Sequence, residues 1–197
     1  RFGMTKLISV WSPKGGTGKT TLSLHLADAL FRLGRKVLVY DSDNQKSLAE
    51  VYNHADDLGF DVVSSSPSSI DGYDYLIVDF PPSVDGLTRE HKAILEKSDK
   101  IVSPVRASRL DLMSFKSVKS QVPEAKLISV LNAYDKRIKD QVEVHDEIAA
   151  DFIKLSYSSI YSRTINMCKT IFSDDVSKLY GIKKAQKEMQ MLVELVK

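Results

Sequence analysis

At 197 residues the chain is long enough for one domain with a sizeable hydrophobic core, and 43% apolar with 27% charged residues is the balance of a globular protein, which excludes disordered and collagenous classes. Its one cysteine, Cys168, excludes an intramolecular disulfide and points to a reducing compartment, the cytoplasm; no window approaches the roughly 18 to 20 apolar residues of a membrane span, and no apolar signal core opens the chain. The net charge of +2 is unevenly spread, since residues 1–99 hold 11 Lys/Arg against 14 Asp/Glu and residues 100–197 hold 17 against 12, a bias that fits either a polyanion-facing surface or a solvated basic face in the second half.

Arg1, Phe2 and Gly3 precede Met4 and read as an expression remnant, leaving residues 4–197 as a single domain. From there short β-branched runs alternate with helical periodicity, the rhythm of βαβ units. It predicts an α/β fold with a mostly parallel, twisted sheet and helices on both faces. Strands are expected at residues 7–11, 37–40, 60–63, 75–78, 101–105 and 127–131. Between the first two, Leu22, Leu26, Ala29, Leu30 and Leu33 recur at helical spacing, and Gly34 suits the C-cap. Residues 64–69 form a short polar loop. At the far end Ile182, Ala185, Met189, Leu192, Val193 and Val196 fall on one helical stripe. Without bulky aromatics or a strong basic bias, that stripe reads as a terminal helix docked on the core rather than one lying on a membrane.

Directly after the first strand come Pro13, Lys14, Gly15, Gly16, Thr17, Gly18, Lys19, Thr20 and Thr21, followed by the helix. Glycines let backbone N–H groups turn inward around phosphate oxygens, the helix N-terminus adds partial positive charge, and Lys19 supplies a cation for the β and γ phosphates. The Thr20 hydroxyl is then placed to ligate Mg²⁺. Strand, loop, Gly-Lys-Thr and helix in register mark a P-loop for a nucleoside triphosphate. Two apolar strands each end in a carboxylate. Residues 37–40 run into Asp41, Ser42 and Asp43, and residues 75–78 into Asp79, which is how a Walker B aspartate reaches a Mg²⁺ shell. Asp41 and Asp43 could equally cap the helix beginning near Ser47. His25, His54, His91 and His145 have no mutual spacing suited to a metal and Cys168 has no cysteine partner, so zinc is not expected. Trp11 is expected to pack in the core or against a loop.

The strict P-loop pattern opens on a glycine ahead of this run, whereas here Ser12, Pro13 and Lys14 lead into Gly15 and Gly16. The run from Lys14 to Thr20 resembles the deviant Walker A motif of the ParA/MinD superfamily, and within it the small, ParF-like plasmid-partition ParA proteins. The resemblance extends from Lys6 to about Lys197 and is most specific in the three motifs. It implies that Lys14 reaches phosphates in the partner subunit of a nucleotide-sandwich homodimer, so that Lys14, Lys19 and Asp43 are catalytic. Asp43, in a segment similar to the family's Asp-x-Asp-Pro-Gln, orients the attacking water, while Asp41 holds the loop and the Mg²⁺ shell. ATP is held by Lys14, Gly15, Gly16, Thr17, Gly18, Lys19, Thr20 and Thr21, with Asn132 on the adenine edge, and Mg²⁺ by Thr20, Asp43 and Asp79. Asp79, Phe80, Pro81, Pro82 and Ser83 look like the family's switch region. Ser108, Leu110 and Asp111 look like a segment that contributes to the nucleotide pocket and dimer contact.

Residues 160–166 stand where the family begins a basic surface, so Arg163, Lys169, Lys178, Lys183, Lys184 and Lys187 are its candidate contacts to nonspecific nucleoid DNA. The function implied is a Mg²⁺-dependent ATPase of the partition type, cytoplasmic and nucleoid-associated. It dimerises with ATP and is stimulated by a centromere-binding, ParB-like partner, with no stable membrane association. No helix-turn-helix precedes the loop, so operator-specific autoregulation is not expected. The alternatives are a MinD-like membrane-cycling positioning ATPase and a metabolic P-loop enzyme related to dethiobiotin synthetase.

Overall fold

The computed structural model describes residues 4–83, 87–148 and 150–197, so Arg1, Phe2 and Gly3 lie outside the described residues. Among the described residues seven strands form one sheet: β1 (Lys6–Val10), β2 (Val37–Asp41), β3 (Asp61–Val63), β4 (Tyr75–Asp79), β5 (Lys100–Arg106), β6 (Leu127–Tyr134) and β7 (Ile153–Ser156). Their order is β3-β2-β4-β1-β5-β6-β7, and every pairing is parallel. The helices are α1 (Lys19–Arg32), α2 (Ser47–Asn53), α3 (Arg89–Lys97), α4 (Arg109–Gln121), α5 (Lys139–Ile148), α6 (Ser159–Asn166) and α7 (Ile182–Val196). The six expected strands are present within a few residues of their expected ends. β7 is the addition; Ile153, Lys154, Leu155 and Ser156 alternate apolar with polar, but four residues are too few for the alternation to stand out.

β2 and β4 are buried at every residue, as strands covered by helices on both faces must be. Alternate side chains split the interior into two cores. Ile8, Val10, Val39, Ile77 and Val130 pack with residues of α1, α2, α6 and α7, whereas Leu38, Leu76, Val78, Ile101 and Leu131 pack with residues of α3, α4 and α5. α1 is buried almost continuously from Leu22 to Leu30. It ends in a Schellman motif: Gly34, at φ 77°, donates to Phe31 O at 2.8 Å, and Arg35 donates to Leu30 O at 3.2 Å. All six residues of the α7 stripe are buried in the core shared with α1. Truncating one of them, such as Leu192, to alanine removes about 2–5 kcal/mol. No helix among the described residues is long and apolar enough to cross a membrane.

Two buried polar groups on α1 join it to the C-terminal block. Asp28 is held by Arg32 Nε at 3.0 Å and accepts from the Thr170 hydroxyl. His25 lies edge-on to Tyr161, donates from Nδ1 to Thr21 O at 2.7 Å, and sets Nε2 3.4 Å from Thr164 Oγ1. Burial lowers the His25 pKa to about 4, against the Thr21 hydrogen bond, which raises it. The folded state therefore binds fewer protons at this site than the unfolded chain between pH 6.5 and 4, so the stability it confers is complete above 6.5 and is lost as pH falls toward 4. The shift corresponds to about 3 kcal/mol. Urea titrations of wild type and His25→Gln at pH 7 and pH 4.5 should show the variant losing less stability on acidification by that order; identical acid losses would contradict it.

Candidate nucleotide site

The site begins with what α1 lacks. Its N-cap is Gly18, at φ 99° and ψ 22°, and among the described residues neither a side-chain cap nor an acidic first-turn residue satisfies its leading N–H groups. α3 and α4, by contrast, are capped by the Thr88 and Ser108 hydroxyls. Uncapped N–H groups at the positive end of the helix dipole are built for an anion. Gly18 is required twice over: its φ is left-handed, and a Cβ there would lie 2.2 Å from Asn132 Nδ2. That amide, on β6, donates to Thr17 O at 2.8 Å and braces the loop from beneath.

The two loop lysines are placed differently. Lys19 is buried, its Nζ 3.1 Å from Lys14 O; desolvation lowers its pKa while Asp79 and Asp43 pull it back up. Lys14 is half exposed and forms an ion pair with Asp111 of α4, whose side chain is 7% exposed. Asp111 occupies the third position of α4, where its N–H bonds Ser108 Oγ at 3.1 Å, so one cap positions the carboxylate for Lys14.

On the acidic side, Asp79 stands at the end of β4 and accepts from Thr20 Oγ1 at 2.8 Å and Ser23 Oγ at 3.0 Å. Burial pushes its pKa up to about 7, with Asp41 adding to the rise and Thr20, Ser23 and Lys19 opposing it. Two water-excluded carboxylates, Asp41 and Asp79, side by side leave the site short of positive charge, and a hydroxyl–carboxylate donor set suits a hard divalent cation such as Mg²⁺. Among the described residues no group of three His, Cys, Asp or Glu side chains could hold a metal unaided. Nucleotide oxygens would have to complete the shell.

Asp41 and Asp43 separate cleanly. Asp41 spends its oxygens on the N–H groups of Asp43, at 3.3 Å, and Ala49, at 3.0 Å, and so caps α2 from a distance. Among the described residues the Asp43 carboxylate accepts one hydrogen bond, from Gln45 N–H at 3.1 Å, and it faces the field of Lys19. Ser42 links the two strands, its Oγ donating to Asp79 O at 2.7 Å. Ser83 ties the next segment to the loop: its N–H donates to Pro13 O at 3.1 Å and its hydroxyl accepts from Trp11 Nε1 at 3.0 Å. Trp11 thus does both: its ring is buried in the core shared with α3, α4 and α5, and its indole N–H holds the segment beside the loop. Ser23 is the site residue that the motif reading passes over, although it lies one turn after Thr20 on the same helix face.

The candidate basic residues do not form one uniform patch. Lys178, Lys183, Lys184 and Lys187 lie on and before the first turns of α7, and Arg163 is exposed on α6. Lys184 lies 3.7 Å from Glu188, and Lys169 is paired with Asp175 at 2.8 Å, so Lys169 already spends its charge.

The CobQ/CobB/MinD/ParA nucleotide binding domain matches residues 8–174. The chain is 35% identical over 117 residues to maintenance of carboxysome distribution protein A of Gloeobacter kilaueensis, a match spanning 54% of this chain and about half, 52%, of that relative. It is 26% identical to the virulence plasmid ParA family protein pGP5-D of Chlamydia trachomatis across 91% of this chain and 89% of that one. In fold it is similar to a plasmid partition protein of Borrelia burgdorferi bound to AMPPNP (TM-score 0.74, 16% identity, 96% and 99% of the two chains). It is also similar to the septum site-determining protein MinD of Pyrococcus horikoshii complexed with Mg-ADP (TM-score 0.73, 20% identity, 98% and 96%).

Proposed function

Because this chain belongs to the CobQ/CobB/MinD/ParA nucleotide binding domain family, we propose that it is a ParA-type partition ATPase that dimerises on ATP, holds DNA without sequence preference, and releases it when a cargo-bound, ParB-like partner stimulates hydrolysis. One observation carries the reading: of the two lysines in the loop, Lys19 is buried against the loop backbone and Lys14 is turned away to Asp111. Lys19 is buried in the cradle, while Lys14 is kept at the surface by Asp111 and is available to phosphates presented by a second copy.

In this reading ATP and water give ADP and phosphate. The loop N–H groups and Lys19 bind the phosphates, and Lys14 of each subunit leaves Asp111 to neutralise charge across the dimer. Asp43 orients the attacking water, since its carboxylate is less committed to backbone than that of Asp41. Thr20 and Asp79 would hold Mg²⁺, which when bound offsets phosphate charge. A membrane-cycling role of the MinD kind is the alternative, and the burial of the α7 apolar face in the core weighs against it.

Mobility-shift assays with random-sequence duplex test the DNA arm. Binding should require ATP and weaken steeply with salt, because phosphate neutralisation releases counterions. Replacing Lys183, Lys184 and Lys187 together by Glu should lower affinity and make the salt slope shallower by about one unit for each DNA phosphate no longer neutralised, leaving dimerisation intact. No ATP-dependent shift in the parent protein would discard DNA retention.

A further inference from the structure

Three segments distant in sequence meet at one corner of the sheet. β6 and β7 pair in parallel with Tyr134 beside Ser156, so the turn at residues 135–139 and the residues after β7 emerge together at the C-terminal ends of the strands. Tyr157 N–H donates to Tyr134 O at 2.6 Å. The start of α7 is drawn to the same place. Glu188 accepts from the N–H and hydroxyl of Ser156 at 2.8 and 2.7 Å, and a Cβ on Gly181 would stand 3.8 Å from Ser158 Oγ.

This corner is distinctive in two respects. Tyr157 and Tyr180, at 56% and 100% exposure, are the exposed aromatic residues among the described residues, and both lie here. Around them the stretch from 177 to 187 holds Lys178, Lys183, Lys184 and Lys187 with no acidic residue. Among the described residues Lys136, Lys178 and Lys183 have no ion-pair partner, whereas Arg137 of the same turn is occupied by Asp135. A tyrosine ring left wholly in water forgoes the burial that its apolar face would gain. Interleaved with uncommitted ammonium groups, such rings have the composition of a base-stacking platform on a phosphate-tracking surface.

We propose that this corner binds single-stranded DNA, with Tyr180 and Tyr157 stacking on unpaired bases and Lys136, Lys178 and Lys183 meeting the phosphates. A duplex hides its base faces inside the stack and offers these rings only sugar and groove edges, whereas a single strand offers the faces themselves. The proposal rests on the DNA-retention reading and adds to it a preference for locally opened DNA.

Fluorescence anisotropy with ATP and Mg²⁺, using a labelled mixed-sequence oligonucleotide and its duplex of equal length, tests it. The single strand should bind more tightly than the duplex. Tyr180→Ala should weaken single-strand binding about tenfold and duplex binding by about twofold at most, with Tyr180→Phe restoring it, since stacking needs the ring and not the hydroxyl. Lys183→Glu should weaken both. Equal or tighter duplex binding, or an equal loss on both in Tyr180→Ala, overturns the proposal while leaving DNA retention standing. Absence of binding to either overturns both; single-strand binding without duplex binding upholds the proposal and removes duplex retention. Tyr180 is fully exposed, so circular dichroism should show each variant folded as the parent.

Discussion

Lys19→Ala should weaken ATP binding by about a hundredfold or more, whereas Lys14→Ala should leave nucleotide binding by the monomer largely intact and remove dimerisation. The asymmetry follows from where the two ammonium groups sit. Lys19 is desolvated beside the Lys14 carbonyl, so charge-assisted bonds from it to phosphate would be made largely out of contact with water. Their loss should cost at least about 3 kcal/mol, on the order of a hundredfold in affinity. Lys14 is half exposed and paired with Asp111, so removing it takes nothing from its own cradle. Titration with a fluorescent ATP analogue separates the two; equal losses in both variants would count against action of Lys14 on a second copy.

Asp43→Ala should bind ATP and Mg²⁺ as the parent does while turning over about 10²–10⁴-fold more slowly, the range lost when a positioned proton acceptor is removed. The protein should then accumulate as an ATP-bound dimer. Asp41→Ala should behave differently, because Asp41 holds the N–H groups of Asp43 and Ala49 and its loss unpins the start of α2. Phosphate release assays decide between them. Normal turnover in Asp43→Ala assigns the water to another group.

What is legible in the sequence is what is determined locally. The phosphate loop shows because its glycines, Lys19 and Thr20 act within a few residues of one another, at the junction of an apolar strand and a helical stripe. Asp79 shows because a run of four buried residues delivers one carboxylate at the strand end. Long-range partners do not show. The Lys14–Asp111 pair joins residues 97 apart, and only the cap spacing from Ser108 to Asp111 is visible in the chain. Asn132 is visible as a polar residue near a strand end, but its hold on Thr17 requires β6 to lie two strands from β1. β7 alternates apolar with polar over only four residues, too short a run to be told from chance. The basic residues are countable, yet the pairing of Lys169 with Asp175 and the meeting of Tyr157 with the Tyr180 segment are products of the fold.

In the proposed cycle ATP, and not ADP, makes this chain a dimer through Lys14. Sedimentation velocity of the parent protein and Lys14→Ala, each with Mg²⁺ and either a non-hydrolysable ATP analogue or ADP, tests it directly. The parent should sediment as a dimer with the analogue and a monomer with ADP, and Lys14→Ala as a monomer throughout. A parent that stays monomeric with the analogue, or a Lys14→Ala that dimerises as the parent does, contradicts it.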